Sequence, residues 1–319
     1  METEVYAVDF NPSKNILIYG GGDERCIVMD LGTGDIISIV ENFNDSIIFC
    51  KFVDDERFIV GSLNGTISLM TLEDEINSVE VGEDISKMKI DGDKLLVGTA
   101  QGNVHLFSLD LCIQNVCIGQ HNEIQDICYE RGKAYTLSEA NFMVFDAKSH
   151  QKLMDLYVRD GSAMDKIPGS DVVCLGLKGC ALIRKNAHLL GRIEIEGSPE
   201  CILYMNNYFI VGGDFDHILL INMPMGMRTF KIPIEGMSGI SRIRGDGENR
   251  IVFGTFGGVV GFGDIRDEKS FKLVEGGVGC IFDLCFKDGM IYVGGEEGFN
   301  VVDVGKDYSG AAKEYFPSS

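Results

Sequence analysis

The chain has no tryptophan and only 6 prolines in 319 residues, and none of its 10 cysteines forms a C-x-x-C pair. Few prolines beside 40 glycines suit many tight turns between strands better than a proline-rich disordered chain. No run approaches the roughly 18 apolar residues of a membrane-spanning helix. The opening Met1-Glu2-Thr3-Glu4 lacks the basic head and apolar stretch of a secretion signal. The cysteines lie mostly in apolar, strand-like runs: Cys26 in CIVMDL, Cys50 in IIFCKF, Cys174 in VVCLGL, Cys285 in FDLCF. They read as small buried hydrophobes in a reducing compartment. That predicts an intracellular protein, cytoplasmic with the nucleus as a second location.

Catalytic and metal-binding patterns are missing as well. The chain has no G-x-S-x-G, H-E-x-x-H or G-x-x-x-x-G-K-[ST]. The run Gly20-Gly21-Gly22-Asp23 leads into a strand, so it lacks the helix N-terminus on which a phosphate loop depends. His105, His121, His150, His188 and His217 are scattered, with no pair at ligand spacing. Asp214-Phe215-Asp216 alone is too short for a calcium loop. The expectation is a non-enzyme with no catalytic residue, no metal and no cofactor.

What the sequence does have is a repeat. An alternating strand, a turn, an apolar strand ending in a small residue, a polar turn and a third strand recur eight times. The first copy reads VYAVDF, ILIYGGGDE, CIVMDL and TGDIISIVE; the last reads IFDLCF, MIYVGGEEG and FNVVDV. The small residue closing the second strand falls at Gly20, Gly61, Gly98, Ser138, Gly176, Gly212, Gly254 and Gly294, at intervals of 36 to 42. That spacing is close to the ~40–45 residue period of a WD40 blade. Glycine there fits a positive φ or a close backbone approach. A blade is apolar on both faces and buries them by stacking on its neighbours. The fold class predicted is all-β, a WD40-type β-propeller of eight four-stranded blades, with seven as the nearest alternative, in a single domain over 1–319. The signature is degenerate: Met29-Asp30, Phe145-Asp146 and Gly263-Asp264 stand where a WD dipeptide would, and Gly119-Gln120-His121 is the best remnant of the GH start. His121, Asp126 and Ser138 could form a hydrogen-bond network. Residues 310–316 read as a helix or as the outer strand of the last blade, which leaves ring closure open.

The charge is one-sided: 28 Lys and Arg against 49 Asp and Glu, a formal −21. Such a surface repels nucleic acid and anionic membranes and attracts basic proteins, most strongly at low salt. In blade topology the turns after second strands and before first strands share one end. On the repeat assignment that end carries Asp23, Glu24, Asp45, Glu83, Asp84, Glu123, Glu139, Asp160, Asp214, Asp216, Glu296 and Glu297, with Arg25 and Lys178 as its few basic neighbours. Phe215, Phe256 and Phe299 fall in or beside the same turns, with Phe215 and Phe256 as anchor candidates. Carboxylates with aromatic anchors suit an extended basic peptide. The bland alternative is a solvating acidic surface. The opposite end mixes Asp54, Asp55 and Glu56 with Lys14, Lys94, Lys133, Lys152 and others.

The opening VYAVDFNPSKNILIYGGGDERCIVMDLGTGDII resembles the first repeat of the angio-associated migratory cell protein family of WD40 proteins, which includes a yeast chaperone dedicated to ribosomal protein L10. DSIIFCKF, LLVGTAQGNVHLFSL and IFDLCF are similar to corresponding repeats in the same order. The resemblance implies a monomeric eight-bladed propeller that captures the basic N-terminal segment of newly made L10 and protects it until assembly into the 60S subunit. Family members usually carry an acidic N-terminal extension that this sequence does not include, and units five to seven show little specific similarity. A second reading is a permanent WD40 scaffold subunit of a chromatin, trafficking or ubiquitin-ligase complex. The two differ in salt sensitivity: one electrostatic peptide site against a large apolar patch.

Overall fold

The computed structural model describes residues 3–11, 13–117, 122–234 and 238–305. Their strands form eight antiparallel sheets, seven of four strands and one of three. Each sheet is a meander in chain order; blade 1 runs Val5–Asn11, Ile16–Gly21, Cys26–Asp30, Ile36–Val40. The fold is an all-β, eight-bladed β-propeller, so the count of eight holds and the seven-blade alternative falls. Helix is confined, among the described residues, to the 3₁₀ turn Glu268–Ser270.

Burial across a blade explains why the repeat was legible. Second and third strands are sandwiched between neighbouring blades, and Phe58–Ser62, Val172–Leu177 and His217–Asn222 are buried throughout. Those are the continuous apolar runs of the sequence. Fourth strands show one face to solvent, as in the alternation of Lys152–Tyr157. Their weak apolar signal is why only the first copy yielded a clear fourth strand.

The chain groups into two compact units, one comprising the chain to Gly82 with that from Ser241 on, the other Glu83–Ile240. In the first, the first strand of blade 1 packs against the first strands of both blade 2, Ile47–Phe52, and blade 8, Ile281–Lys287. Among the described residues the earliest and latest blades therefore meet through their first strands and share no sheet. Blade 8 shows three strands among the described residues; residues 310–316 and the Gly119–His121 remnant lie outside them. Asp126 accepts the Met164 N–H of the next blade (2.8 Å), while Ser138 Oγ bonds within its own turn to Asn141.

The repeated glycine has a specific cause. Gly20, Gly98, Gly254 and Gly294 all lack a positive φ. A Cβ on them would lie 2.6 Å from Ile47 Cγ2, 2.5 Å from Ile124 Cγ2, 2.4 Å from Ile281 Cγ2 and 2.6 Å from Val5 Cγ1, respectively. Each contact is the first residue of the neighbouring blade's first strand. Close approach, one of the two reasons glycine is used, is the one at work here. In blades 1 to 6 and 8 the first strand also carries a register shift one step in, as between Val5 and Ala7 or Ile281 and Asp283.

Candidate partner-binding end

Backbone hydrogen bonds join turns after second strands to the segments entering the same blade or the next one. In the first unit Gly22 donates to the Glu4 carbonyl, Leu63 to Ser46, Glu296 to Cys280 and Glu297 to Val278. In the second, Ala100 donates to Asp84, Lys178 to Asp160, Gly161 to Glu139 and Asp214 to Ser198. Within each unit the two sets of turns therefore share one end.

That end of the first unit carries Asp23, Glu24, Asp45, Glu296, Glu297 and Phe256. Glu24, Glu296 and Glu297 are exposed, and Phe256 is 39% exposed. Asp23 and Asp45 are half-buried and serve their own turns, with Asp45 accepting the Ser46 N–H at 2.7 Å. In the second unit Asp84, Glu123, Glu139, Asp160, Asp214 and Asp216 are exposed. Repulsion from Asp214 adds to burial in raising the Glu200 carboxyl, a local mark of crowded negative charge. Asp216 pairs with His217 Nδ1 at 3.0 Å, and that bond holds its carboxyl below the usual range.

Two expectations need correction. Phe215 is 8% exposed and packs in the core of blades 5 and 6, its ring 5.0 Å from that of His217. The tight turn that exposes Asp214 and Asp216 points the residue between them inward, so Phe215 is a core residue and not a surface anchor. Glu83 is half-buried: one oxygen accepts from Asn103 Nδ2 at 2.8 Å, and the other is enclosed. It braces a turn more than it faces a partner.

Three aromatic residues missed in the sequence, Tyr6, Tyr19 and Phe282, stand with Phe299 beside the carboxylates of the first unit. The half-buried rings of Tyr6 and Phe282 lie 5.3 Å apart, and those of Tyr19 and Phe299 stack at 4.5 Å and 7°. The Tyr6 hydroxyl donates to Glu4, and burial together with that carboxylate pushes its pKa up to about 12. Burial and the nearby Asp23 also raise Tyr19. One signal was available: Tyr6 in VYAVDF and Phe282 in IFDLCF are both the second residue of a first strand.

In each unit the opposite end pairs charges locally. Arg57 lies 2.6 Å from Asp54, Lys152 2.7 Å from Asp155, and Lys133 2.9 Å from Asp171. At the turn end of the first unit Arg25 lies 3.1 Å from Glu41, and at that of the second Arg159 lies 3.6 Å from Asp160.

A second charged system, unforeseen, lines the first strands. Asp9, Asp91, Asp126, Asp165 and Asp283 each accept a backbone N–H from the next blade's first strand: Phe52, Tyr129, Met164, Tyr204 and Val8, at 2.7–3.3 Å. Arg242 and Arg244 also hold Asp283, at 3.0 and 2.8 Å. In the second unit Lys166 bridges Asp91 and Glu130. Burial works against the Lys89 ammonium, yet Cys128, Asp165, Asp126 and Asp91 hold its pKa well above normal. These groups fasten blade to blade.

A family model described as the WD40-like domain matches residues 3–302. The chain belongs to the WD40-like domain family. Solved structures similar in fold include Sqt1 of Saccharomyces cerevisiae, at 14% identity and a TM-score of 0.82, covering 94% of this chain and 95% of that one. Sqt1 of Chaetomium thermophilum bound to the N-terminus of ribosomal protein L10 gives 14% and 0.81, covering 94% and 97%. The computationally designed protein Ika8 gives 18% and 0.82, covering 94% and 96%. Among curated proteins, pre-mRNA-processing factor 19 of Oryza sativa subsp. japonica is 31% identical over 74 residues, 23% of this chain. The chain spans only 14% of that relative's length.

Proposed function

We propose that this WD40 chain is a non-catalytic, cytoplasmic holder of a basic protein segment, and that the segment is the N-terminus of newly made ribosomal protein L10 on its way to the 60S subunit. The observation that carries the reading is the turn end itself. Exposed carboxylates gather there in both units, and in the first Glu4 and Asp23 stand beside the Tyr6–Phe282 and Tyr19–Phe299 pairs. Charge of one sign speeds the encounter with a cationic chain, and half-buried rings give its arginine and lysine side chains a face to rest on. The shared fold with an L10-bound Sqt1 supports the choice of partner.

Calorimetric titration of the chain with a synthetic L10 N-terminal peptide, at low and at moderate salt, tests the reading. One-to-one binding that weakens with salt supports it, and no binding at low salt overturns it. One observation favours the scaffold reading instead. Ile36, Ile37 and Ile39 on the outer strand of blade 1 are 54%, 46% and 43% exposed, an apolar edge fit for a permanent partner. A protein that co-purifies with the chain through high salt and is lost on Ile37→Lys would place function there.

A further inference from the structure

In the second unit the acidic end is interrupted by a groove of about 610 Å³. It lies between the outer strand of blade 4, Lys152–Tyr157, with the residues that follow it, and the turn and outer half of blade 5. The floor is apolar, formed by Leu156, Val158, Leu177 and Leu182. The rim is cationic: Arg159, Lys178, Arg184 and Arg192 against the single carboxylate of Asp160. With Glu194, the partner of Arg192, counted beside Asp160, four cations less two carboxylates leave a local excess of two positive charges in a chain whose net charge is −21.

The rim cations are not equivalent. Arg192 lies 2.6 Å from Glu194 and Arg159 3.6 Å from Asp160, both exposed pairs that water screens heavily. Arg184 is different. Its Nε is buried without a hydrogen-bond partner, while a terminal nitrogen donates to the Ala187 carbonyl. Burial depresses its pKa with no carboxylate to offset the effect. Leaving the buried Nε donor unused is costly, and an anion drawn onto the half-exposed guanidinium compensates through charge-assisted hydrogen bonds. Tyr157 stands at the mouth, 80% exposed, where an amphipathic ring can close over a bound chain.

We propose that this groove is a second docking site, for an acidic peptide segment that carries an apolar side chain. Carboxylates of the segment meet Arg184 and Arg192, its apolar side chain lies on the leucine floor, and Tyr157 covers it. Charge complementarity sets this partner apart from the basic segment assigned to the surrounding turns, and the proposal stands whether or not that segment comes from L10.

Fluorescence anisotropy with a labelled, end-capped peptide Asp-Glu-Leu-Phe-Glu-Asp and the full chain tests it. The control is the uncharged counterpart Asn-Gln-Leu-Phe-Gln-Asn. The acidic peptide should bind saturably, on the order of tenfold tighter than the control, and Arg192→Glu and Arg184→Met should each weaken it by a similar factor. Arg192 is exposed, so its variant decides the matter if Arg184→Met melts early by circular dichroism. The proposal is overturned by no binding at low salt, by equal binding of the two peptides, or by indifference to Arg192→Glu. Inorganic phosphate displacing the probe as readily as unlabelled peptide also overturns it, in favour of a small-anion site.

Discussion

Asp283 and Asp9 line the same first-strand face, yet their surroundings give them opposite roles. Burial alone would raise the Asp283 carboxyl, but Arg244 and Arg242 hold it below the usual range. A depressed folded value means that its stabilisation is complete above the unfolded-state pKa of about 4 and drains away as pH falls through the folded value. Asp283→Asn should therefore cost about 3 kcal/mol at neutral pH, since it leaves two arginines without their carboxylate. The gap to the parent should narrow in urea titrations below about pH 4. Asp9 runs the other way: burial outweighs Lys51 and raises its carboxyl. A raised value means a contribution present at low pH and lost as the group ionises. Asp9→Asn, whose side-chain carbonyl can still accept the Phe52 N–H, should stay within about 1 kcal/mol of the parent at neutral pH. Phe215 belongs at this scale too. As a core ring, its replacement by Ala should cost about 3–4 kcal/mol of stability. Peptide dissociation from the folded variant should be unchanged; a faster off-rate at unchanged stability would return it to the binding surface.

At the scale of the element, the blade is the unit that the sequence displays. Its middle strands are buried on both faces and read as unbroken apolar runs, and its outer strands blur into solvent-facing alternation. The glycine that closes the second strand marks where the neighbouring blade comes nearest. Gly254→Ala would place a methyl 2.4 Å from Ile281 Cγ2, and overpacking of this kind should cost about 2 kcal/mol. Removing that atom with Ile281→Ala should make the glycine substitution cost less than it does in the parent. A double-mutant cycle in urea that shows strict additivity would mean the glycine serves some purpose other than close approach. The same placement explains why the aromatic pairs were overlooked. Tyr6 and Phe282 are adjacent only because blades 1 and 8 pack together, 276 positions apart in the chain.

For the whole molecule the governing quantity is the net charge of −21. If the turn end takes a basic segment, binding should weaken steeply between low salt and physiological ionic strength, where the Debye length falls to about 8 Å. Charge reversal can then locate the segment. Asp23, Glu24, Glu296 and Glu297 to Lys alters the turn end of the first unit, and Asp160, Asp214 and Asp216 to Lys that of the second. Under the proposed reading at least one set should reduce affinity on the order of tenfold or more with unchanged thermal unfolding. If both sets bind the L10 peptide like the parent, the turn end is a solvating surface and nothing more.

The sequence alone determined the fold class and the eight-fold repeat. Strand alternation, turn glycines and blade period are local properties that every repeat restates. Only tertiary structure decided which carboxylates face outward and which serve the scaffold. Phe215 and Asp216 are neighbours, yet one is core and the other solvent-exposed, because a single tight turn splits them. Asp283 and Glu297 are equally acidic on paper. One is locked between two arginines and the next blade's backbone while the other is exposed, a difference set by where the packing of neighbouring blades puts them. The cationic groove around Arg184 was likewise invisible, since its rim comes from two blades and its unused donor exists only once the chain has buried it.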